Sequence, residues 1–452
     1  MRELRFDFFR GKTFAHGIHP PESKQETCHR AIQQFPFAPL LIVPLSQHIG
    51  KPAVPVVDED EEVVRGQLIA AADGFMSVAI HAPASGIIRR IAPTPSINGK
   101  MDPAFFLEPF AASTQEVVEG TPLDIDSASR EQILAAIQSA GIVGLGGAGF
   151  PTHAKLKIPD DKFVDTLVIN GIECEPYLTT DHRVMLEHAD DVITGVGYLL
   201  RATAAQRAII AVEANKPDAA ESLRRVLPPS APITIEVLPV KYPQGAEKML
   251  ITALLGREVP SRGLPLDVHV ICVNVGTAAE IGKLIPSGMG LHERVVTVGG
   301  PAIQQKGNYR IPIGTTLRFI LETLGTEPDI STVVMGGPMM GAAASSLDIP
   351  ITKGSTGVIA FTERETGKLR SRKQFPCIKC GDCVDVCPLF LNPSQLGLLA
   401  EHGRYSSMVN DHHLMDCFEC GCCTFVCPAH IPLVQQFRVA KAAIRKAARS
   451  EG

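Results

Sequence analysis

Excess charge of one sign is missing from this sequence. Lys and Arg number 43 against 48 Asp and Glu, a net charge of −5, and without a basic excess nothing points to nucleic acid. Long apolar runs are missing too, none reaching the roughly 18 residues that a membrane-spanning helix needs. The opening residues, Met1-Arg2-Glu3-Leu4-Arg5-Phe6-Asp7, carry charges where a signal peptide requires an apolar stretch. The chain is therefore expected neither to be secreted nor to span a membrane. Tryptophan is absent and aromatic residues make up 5%, whereas 39 Gly and 35 Pro imply many tight turns. The composition, 45% hydrophobic and 20% charged over 452 residues, is that of a soluble globular protein with length for about three domains.

Cysteine, by contrast, is concentrated. Nine of the twelve cysteines lie between Cys377 and Cys427, and in an intracellular chain such crowding reads as metal ligation, not disulfides. Cys377-x2-Cys380-x2-Cys383-x3-Cys387-Pro388 recurs as Cys417-x2-Cys420-x2-Cys423-x3-Cys427-Pro428. This is the spacing of bacterial two-cluster ferredoxins. Three close thiolates wrap three corners of a cubane, and the fourth comes from the other motif. One [4Fe-4S] cluster is thus expected on Cys377, Cys380, Cys383 and Cys427, and a second on Cys417, Cys420, Cys423 and Cys387. Zinc ribbons use paired Cys-x2-Cys, which fits eight ligands in this doubled order badly. Cys422 is read as a non-ligand, and Cys28, Cys174 and Cys272 as buried packing thiols. The insert Leu389 to Asp416 is long and contains an apparent helix, Ser394 to His402, so a helix-rich ferredoxin domain is expected. Such clusters move single electrons and perform no substrate chemistry themselves.

Upstream, the pattern divides the chain into a multidomain α/β and α+β protein. Residues 1–37 read as an irregular arm and 38–110 as short strands and turns. Segments such as Glu62 to Ala70 and His81 to Ile88 give a cadence that resembles the barrel-sandwich fold of biotinyl and lipoyl domains. Their hairpin carries a modified Lys, whereas the matching turn here, Asp73-Gly74-Phe75-Met76-Ser77, has none, so a structural hybrid barrel is expected. Residues 111–290 alternate helical and strand periods, with a helix at 131–140, a buried strand at 166–169, a helix near 182–203 and strands at 207–212 and 267–273. Residues 291–345 fit a small β-grasp (SLBB-like) domain, 346–364 a linker, 365–430 the ferredoxin domain and 431–452 a C-terminal helix. That helix carries Arg438, Lys441, Arg445, Lys446 and Arg449, read as either a solvated basic face or a docking surface.

The glycine-rich stretch Gly141-Ile142-Val143-Gly144-Leu145-Gly146-Gly147-Ala148-Gly149-Phe150-Pro151-Thr152, with Lys155 behind it, would let backbone N–H groups approach a phosphate. It follows a helix, not a strand, so it is not a dinucleotide fingerprint. By itself it reads as a plain loop or a nucleotide site. Asn170-Gly171-Ile172-Glu173-Cys174-Glu175-Pro176 lies past a buried strand end, the usual place for an α/β ligand site. Either carboxylate there faces a ligand or caps the next helix.

Together these two segments resemble the FMN and NADH loops of the complex I flavoprotein subunit. Tyr242-Pro243-Gln244-Gly245-Ala246-Glu247 and Val273-Asn274-Val275-Gly276-Thr277 echo two further segments of that family. The resemblance implies that Gly144, Gly146, Gly147, Ala148, Gly149, Phe150, Lys155, Asn170, Glu173, Glu175, Gly245, Glu247 and Asn274 hold FMN and NAD(H), with Phe150 and Glu175 toward the nucleotide. Leu145, Ile172, Ala246 and Val273 depart from it, standing where the family has Arg, Asp, Glu and Asn. Complex I flavoprotein subunits end with one cluster and this chain carries two. The order hybrid barrel, flavoprotein-like domain, β-grasp, double ferredoxin motif resembles the C subunits of Rnf-type electron transport complexes. It implies a peripheral subunit on the cytoplasmic side of a bacterial inner membrane. There it would exchange hydride between NADH and FMN and pass electrons through the two clusters. An iron–sulfur subunit and integral membrane subunits would be its partners. A soluble reductase of the cobalamin reductase type and a flavin-less relay are the rival readings.

Overall fold

The computed structural model describes residues 12–450. Its first module is built from two small antiparallel sheets. One runs in the order Leu41–Pro44, Met101–Pro109, Gly86–Pro95, Glu62–Val63, and the other Val54–Pro55, Leu68–Ala71, Ile80–His81. Leu41, Val43, Ile69, Ile80, Ile88 and Phe105 form its core and are fully or almost fully buried. The long hairpin turns at Asn98-Gly99, where Gly99 has φ +73°, a conformation that costs glycine little.

A four-stranded parallel sheet forms the second module. Its order is Ile233–Leu238, Arg207–Glu213, Thr166–Gly171, Val270–Asn274, which is third, second, first, fourth in chain order. The direction of winding reverses between the first and fourth strands, so a crevice opens there at their C-terminal ends. Apolar runs in the strands Thr166–Gly171, Arg207–Glu213 and Val270–Asn274 reflect burial on both faces. The helix expected near 182–203 is two helices, Thr180–Glu187 and Ala189–Thr203, because His188 between them leaves helical geometry at φ −128° and ψ 34°. The strand expected at 267–273 starts only at Val270, since Pro265 opens a 3-10 turn that ends with His269 at φ +62°.

Next comes a mixed six-stranded sheet, in the order Ile32–Gln34, Gly307–Pro312, Glu293–Gly299, Gly357–Thr362, Ile330–Met335, Ala342–Ala343. The helix Leu317–Leu324, capped by Thr316, packs Leu317, Ile320 and Leu324 against it. Two sequence expectations change here. Residues 346–364, expected as a linker, supply Gly357–Thr362 between two other strands, and Val358, Ile359 and Ala360 are fully buried. Their apolar run is short enough to pass for linker until strands on either side pair with both of its edges. The expected arm 1–37 contributes an edge strand, Ile32–Gln34, parallel to Gly307–Pro312, and Phe35 to the core. Residues 1–11 of that arm lie outside the described residues.

The cysteine-bearing region is helical: Asp382–Asp385, Pro393–Glu401, Tyr405–Asn410, Cys422–Val426 and the long Leu433–Ser450. Among the described residues no helix is long and apolar enough to cross a membrane.

One close contact fixes the crevice. Helix Ala189–Thr203 crosses helix Val275–Leu284 at two glycines. A Cβ on Gly195 would stand 1.8 Å from the carbonyl of Ala278, and one on Gly282 1.9 Å from that of Asp191. Both contacts are with backbone, which cannot swing away. Gly282→Ala is expected to destabilise the fold by about 1–3 kcal/mol by overpacking, read by denaturant unfolding. Because the second helix begins just after Asn274, FMN affinity should fall with it.

Candidate cofactor sites

Pairing between the strands Thr166–Gly171 and Val270–Asn274 sets Asn170 directly opposite Asn274, at the carboxyl ends that flank the crevice. Asn170 donates from Nδ2 to the Gly245 carbonyl at 2.8 Å and accepts the Ile172 N–H at 3.0 Å. Asn274 caps the next helix by accepting the Thr277 N–H at 3.2 Å. The glycine loop lies across this end of the sheet: a Cβ on Gly146 would come within 3.2 Å of the Asn274 side chain. The loop closes on itself through Gly144 N–H to the Phe150 carbonyl at 2.8 Å and Gly149 N–H to the Gly144 carbonyl at 3.1 Å. Its tip, Gly146-Gly147-Ala148, is exposed, and among the described residues no partner takes those three N–H groups. Gly147 and Gly149 have φ of +99° and +61°, so the conformation calls for glycine. A row of unclaimed N–H groups above a polar crevice fits the phosphate of a flavin nucleotide.

Other expected site residues gather around it. Lys155 pairs with Glu247 at 2.9 Å, and Gly245 is pressed to within a 3.2 Å Cβ distance of the Cys174 sulfur. The two carboxylates of the Glu173–Glu175 segment turn away from the loop. Glu173 is buried and accepts the N–H groups of Asp181 and His182 at 2.9 and 3.5 Å, so it caps the next helix. Lys24 from the arm donates to the Glu173 and Leu178 carbonyls, both at 2.6 Å. Glu175, expected near the nucleotide, accepts the Met339 and Met340 N–H groups at 3.1 and 2.8 Å. Burial pushes its carboxyl above the usual range, against the stabilising pull of those amides and the Tyr242 hydroxyl.

Tyr242 leads toward the cysteines. It is buried, pairs with the Ile18 backbone as an isolated bridge, and donates its hydroxyl to the Cys420 carbonyl at 2.6 Å. Cys387, Cys417, Cys420 and Cys423 line one cavity closed by Leu396 and Phe437. In the other group, Cys383 is buried while Cys377 and Cys380 are exposed, and the thiols that act on Cys383 are Cys380, Cys427 and Cys377. Cys387 thus stands with the Cys417 motif, and Cys427 near Cys383. The two motifs also repeat in backbone: Lys379 and Glu419 at φ +58° and +64°, Gly381 and Gly421 at +92° and +84°. Lys379 and Glu419 N–H groups each reach a cysteine sulfur at 3.4 Å. A thiol-lined cavity of this kind fits one cubane cluster, and the thiols around Cys383 form the second group. Cys422 also lines that cavity beside Cys420, and it is buried against Ile18 and Tyr242. Cys28 is not the buried thiol expected but half-exposed, while Cys272 is buried.

Three regions match family models: residues 12–110 the RnfC barrel sandwich hybrid domain, 137–283 the Nuo51 FMN-binding domain, and 376–431 a 4Fe-4S dicluster domain. The chain is 42% identical over 97% of its length, and 96% of the relative's, to the C subunit of the proton-translocating ferredoxin:NAD(+) oxidoreductase complex of Clostridium ljungdahlii. The chain belongs to the RnfC family. The Na(+)-translocating counterpart of Acetobacterium woodii is 40% identical over 84% of this chain and 86% of its own. The C subunit of the ion-translocating oxidoreductase complex of Pseudomonas aeruginosa is 40% identical over 96% of this chain, which spans 56% of that longer protein. The H2-reduced NAD+-reducing [NiFe]-hydrogenase aligns with TM-score 0.50 at 19% identity over 72% of this chain and 68% of its own, a likeness of fold. These relatives are named as C subunits of ion-translocating oxidoreductase complexes, and the matched domains give this chain FMN and two [4Fe-4S] clusters as its cofactors.

Within the RnfC fold, the hybrid barrel braces the flavin loop. Its hairpin turn is held by Gln138, which donates to the Gly74 and Ser77 carbonyls at 2.9 and 3.0 Å, and by His153 on the Phe75 carbonyl at 2.7 Å. Ile49 N–H reaches the Gly149 carbonyl at 2.9 Å. Fully buried Lys353 donates to the carbonyls of Gly141 and Ala79. Three departures from the flavoprotein pattern are explained by burial: Leu145, Ile172 and Val273 are all core residues here. Leu145 still serves through its backbone, its N–H on the Thr277 hydroxyl at 2.9 Å and its carbonyl on Arg294 at 3.0 Å. Lys353, Arg294 and Asp181 escape recognition by motif, since each acts from a different module or without a fixed spacing. Of the basic residues on the last helix, Lys441 and Arg438 pair with Glu419 at 2.9 and 3.0 Å, while Arg445 and Lys446 are exposed. The Arg449 side chain lies outside the described residues.

Cys387→Ser is expected to remove about half of the iron, because one cubane loses its fourth thiolate. Cys422→Ala should keep all of it. Iron analysis with EPR of the reduced protein checks both.

Proposed function

We propose that this chain is the NADH-reacting electron-transfer subunit of a membrane-bound ion-translocating NADH:ferredoxin oxidoreductase complex. It sits peripherally on the cytoplasmic side of a bacterial inner membrane, against an iron–sulfur subunit and integral membrane subunits that couple electron flow to sodium or proton movement. The observation that carries this reading is the direct contact between the flavin-site module and one cysteine cavity, Tyr242 hydroxyl on the Cys420 carbonyl at 2.6 Å.

FMN, when bound, supplies the conversion between a two-electron hydride and single electrons. The residues of this chain do the rest. Gly146, Gly147 and Ala148 offer N–H groups to phosphate, and Lys155, tied to Glu247, adds a cation near the crevice. Asn170, Gly245 and Asn274 form its floor, and Phe150 and Gly144 hold the loop closed. The thiols expected to bind the second cluster lie against Tyr242, whereas Cys377 and Cys380 of the first are exposed. Electrons are therefore read as passing from the flavin site to the Cys417 motif, then to the Cys377 motif and a partner. Glu175 serves this arrangement as a clasp between modules. The cobalamin-type soluble reductase finds no support among the relatives described above.

An anaerobic titration with NADH tests the reading. Flavin absorbance should bleach and cubane EPR signals should appear together. Flavin and clusters that both stay oxidised with NADH in excess would make the chain a relay without a nicotinamide site. Tyr242→Phe removes the hydroxyl that spans the two modules; flavin bleaching should persist while cluster reduction slows by about tenfold or more.

A further inference from the structure

Asp181 belongs to none of the sequence motifs, yet it occupies the floor of the flavin crevice. It stands in the first turn of Thr180–Glu187, and its Oδ2 accepts the Asn274 Nδ2–H at 2.7 Å. Asn274 accepts from Thr277 at 3.2 Å, and the Thr277 hydroxyl accepts the Leu145 N–H at 2.9 Å. Three hydrogen bonds in series thus join Asp181 to the glycine loop. The other oxygen, Oδ1, lies 3.2 Å from where a Cβ on Gly276 would stand, and no donor among the described residues reaches it.

The charges around Asp181 do not neutralise it. Glu173 repels it from close range, its carboxylate receiving the Asp181 N–H at 2.9 Å. Arg294 and Lys216 attract it, but neither is hydrogen-bonded to it: Arg294 Nη2 donates to the Leu145 and Ser355 carbonyls. Lys216 pairs with Glu213. Burial first, then Glu173, push the Asp181 carboxyl up to about 7, so above neutral pH it holds a negative charge with one neutral donor.

We propose that Asp181 is a positioning residue of the flavin site, which orients the Asn274 amide and sets a negative charge under the crevice that disfavours the anionic reduced flavin. This rests on the FMN reading above and deepens it. A partly buried carboxylate penalises an added negative charge nearby more than a neutral ring, since the effective dielectric there is below that of water. The flavin is thereby held at a lower potential, which suits a donor to low-potential clusters.

The test is flavin affinity, not turnover. The full chain, stripped of FMN with its clusters intact, is titrated at pH 8 with oxidised and with reduced FMN. Asp181→Asn removes the charge and is expected to raise the ratio of reduced to oxidised affinity by about tenfold, equivalent to roughly 30 mV for a two-electron couple. Asp181→Glu keeps the charge and should hold the ratio near the native one. If Asp181→Asn weakens both affinities equally, the residue is merely structural and the proposal is overturned. If the variant does not fold, Asn274→Asp adds charge at the same place and must lower the ratio; no change would equally overturn it. Native protein that binds neither form of FMN would instead sink the flavin reading itself.

Discussion

The parallel register between Thr166–Gly171 and Val270–Asn274 is the constraint on which the site depends. It brings Asn170 level with Asn274, and a slip of one residue would turn each side chain to the other face of the sheet. With that register in place, Gly146 rests on the Asn274 side chain, Thr277 catches the loop at Leu145, and Gly245 meets Asn170. The glycine-to-backbone crossing of the two helices behind the sheet holds the fourth strand's helix at the one distance that permits all three.

The second dependence is on elements far away in sequence. Lys24, Lys353 and Arg294 are each almost wholly buried, and each donates to backbone carbonyls near the crevice. Burying a cation costs several kcal/mol unless it is well hydrogen-bonded, so these three are committed to single positions. The outcome is a glycine loop held by the barrel and the six-stranded sheet at once, beside a Glu173 segment held by the arm. That explains why a barrel of lipoyl-like cadence has no swinging Lys: its hairpin is occupied in gripping Gln138 and His153.

Electron transfer needs the cofactors close together, and the chain achieves this with one small cluster of contacts. Tyr242, Cys422 and Ile18 form a hydrophobic patch between the flavin module and the Cys417 motif. Around it, Glu175 holds the Met339–Met340 backbone, and Arg438 ties the Met340 carbonyl at 3.1 Å to Glu419. The basic C-terminal helix, ambiguous by composition, thus has two of its cations turned inward toward the cluster loop.

The local pattern of residues determined what depends on spacing. The two-cluster ferredoxin domain is legible because a cubane imposes fixed intervals between cysteines. The parallel strands show in their apolar runs, and the missing Lys of the barrel hairpin in a single turn. Tertiary structure alone decided how polar groups are spent. Glu173 caps a helix while its neighbour Glu175 clasps another module, although both stand in the same short segment. The strand Gly357–Thr362 and the arm strand Ile32–Gln34 became visible only when distant partners covered them. Asp181 acquired its place from Asn274, 93 positions away in the chain and at the end of another strand. A carboxylate's role follows from which donors and charges surround it, and those neighbours are assembled by the fold, not by its place in the chain.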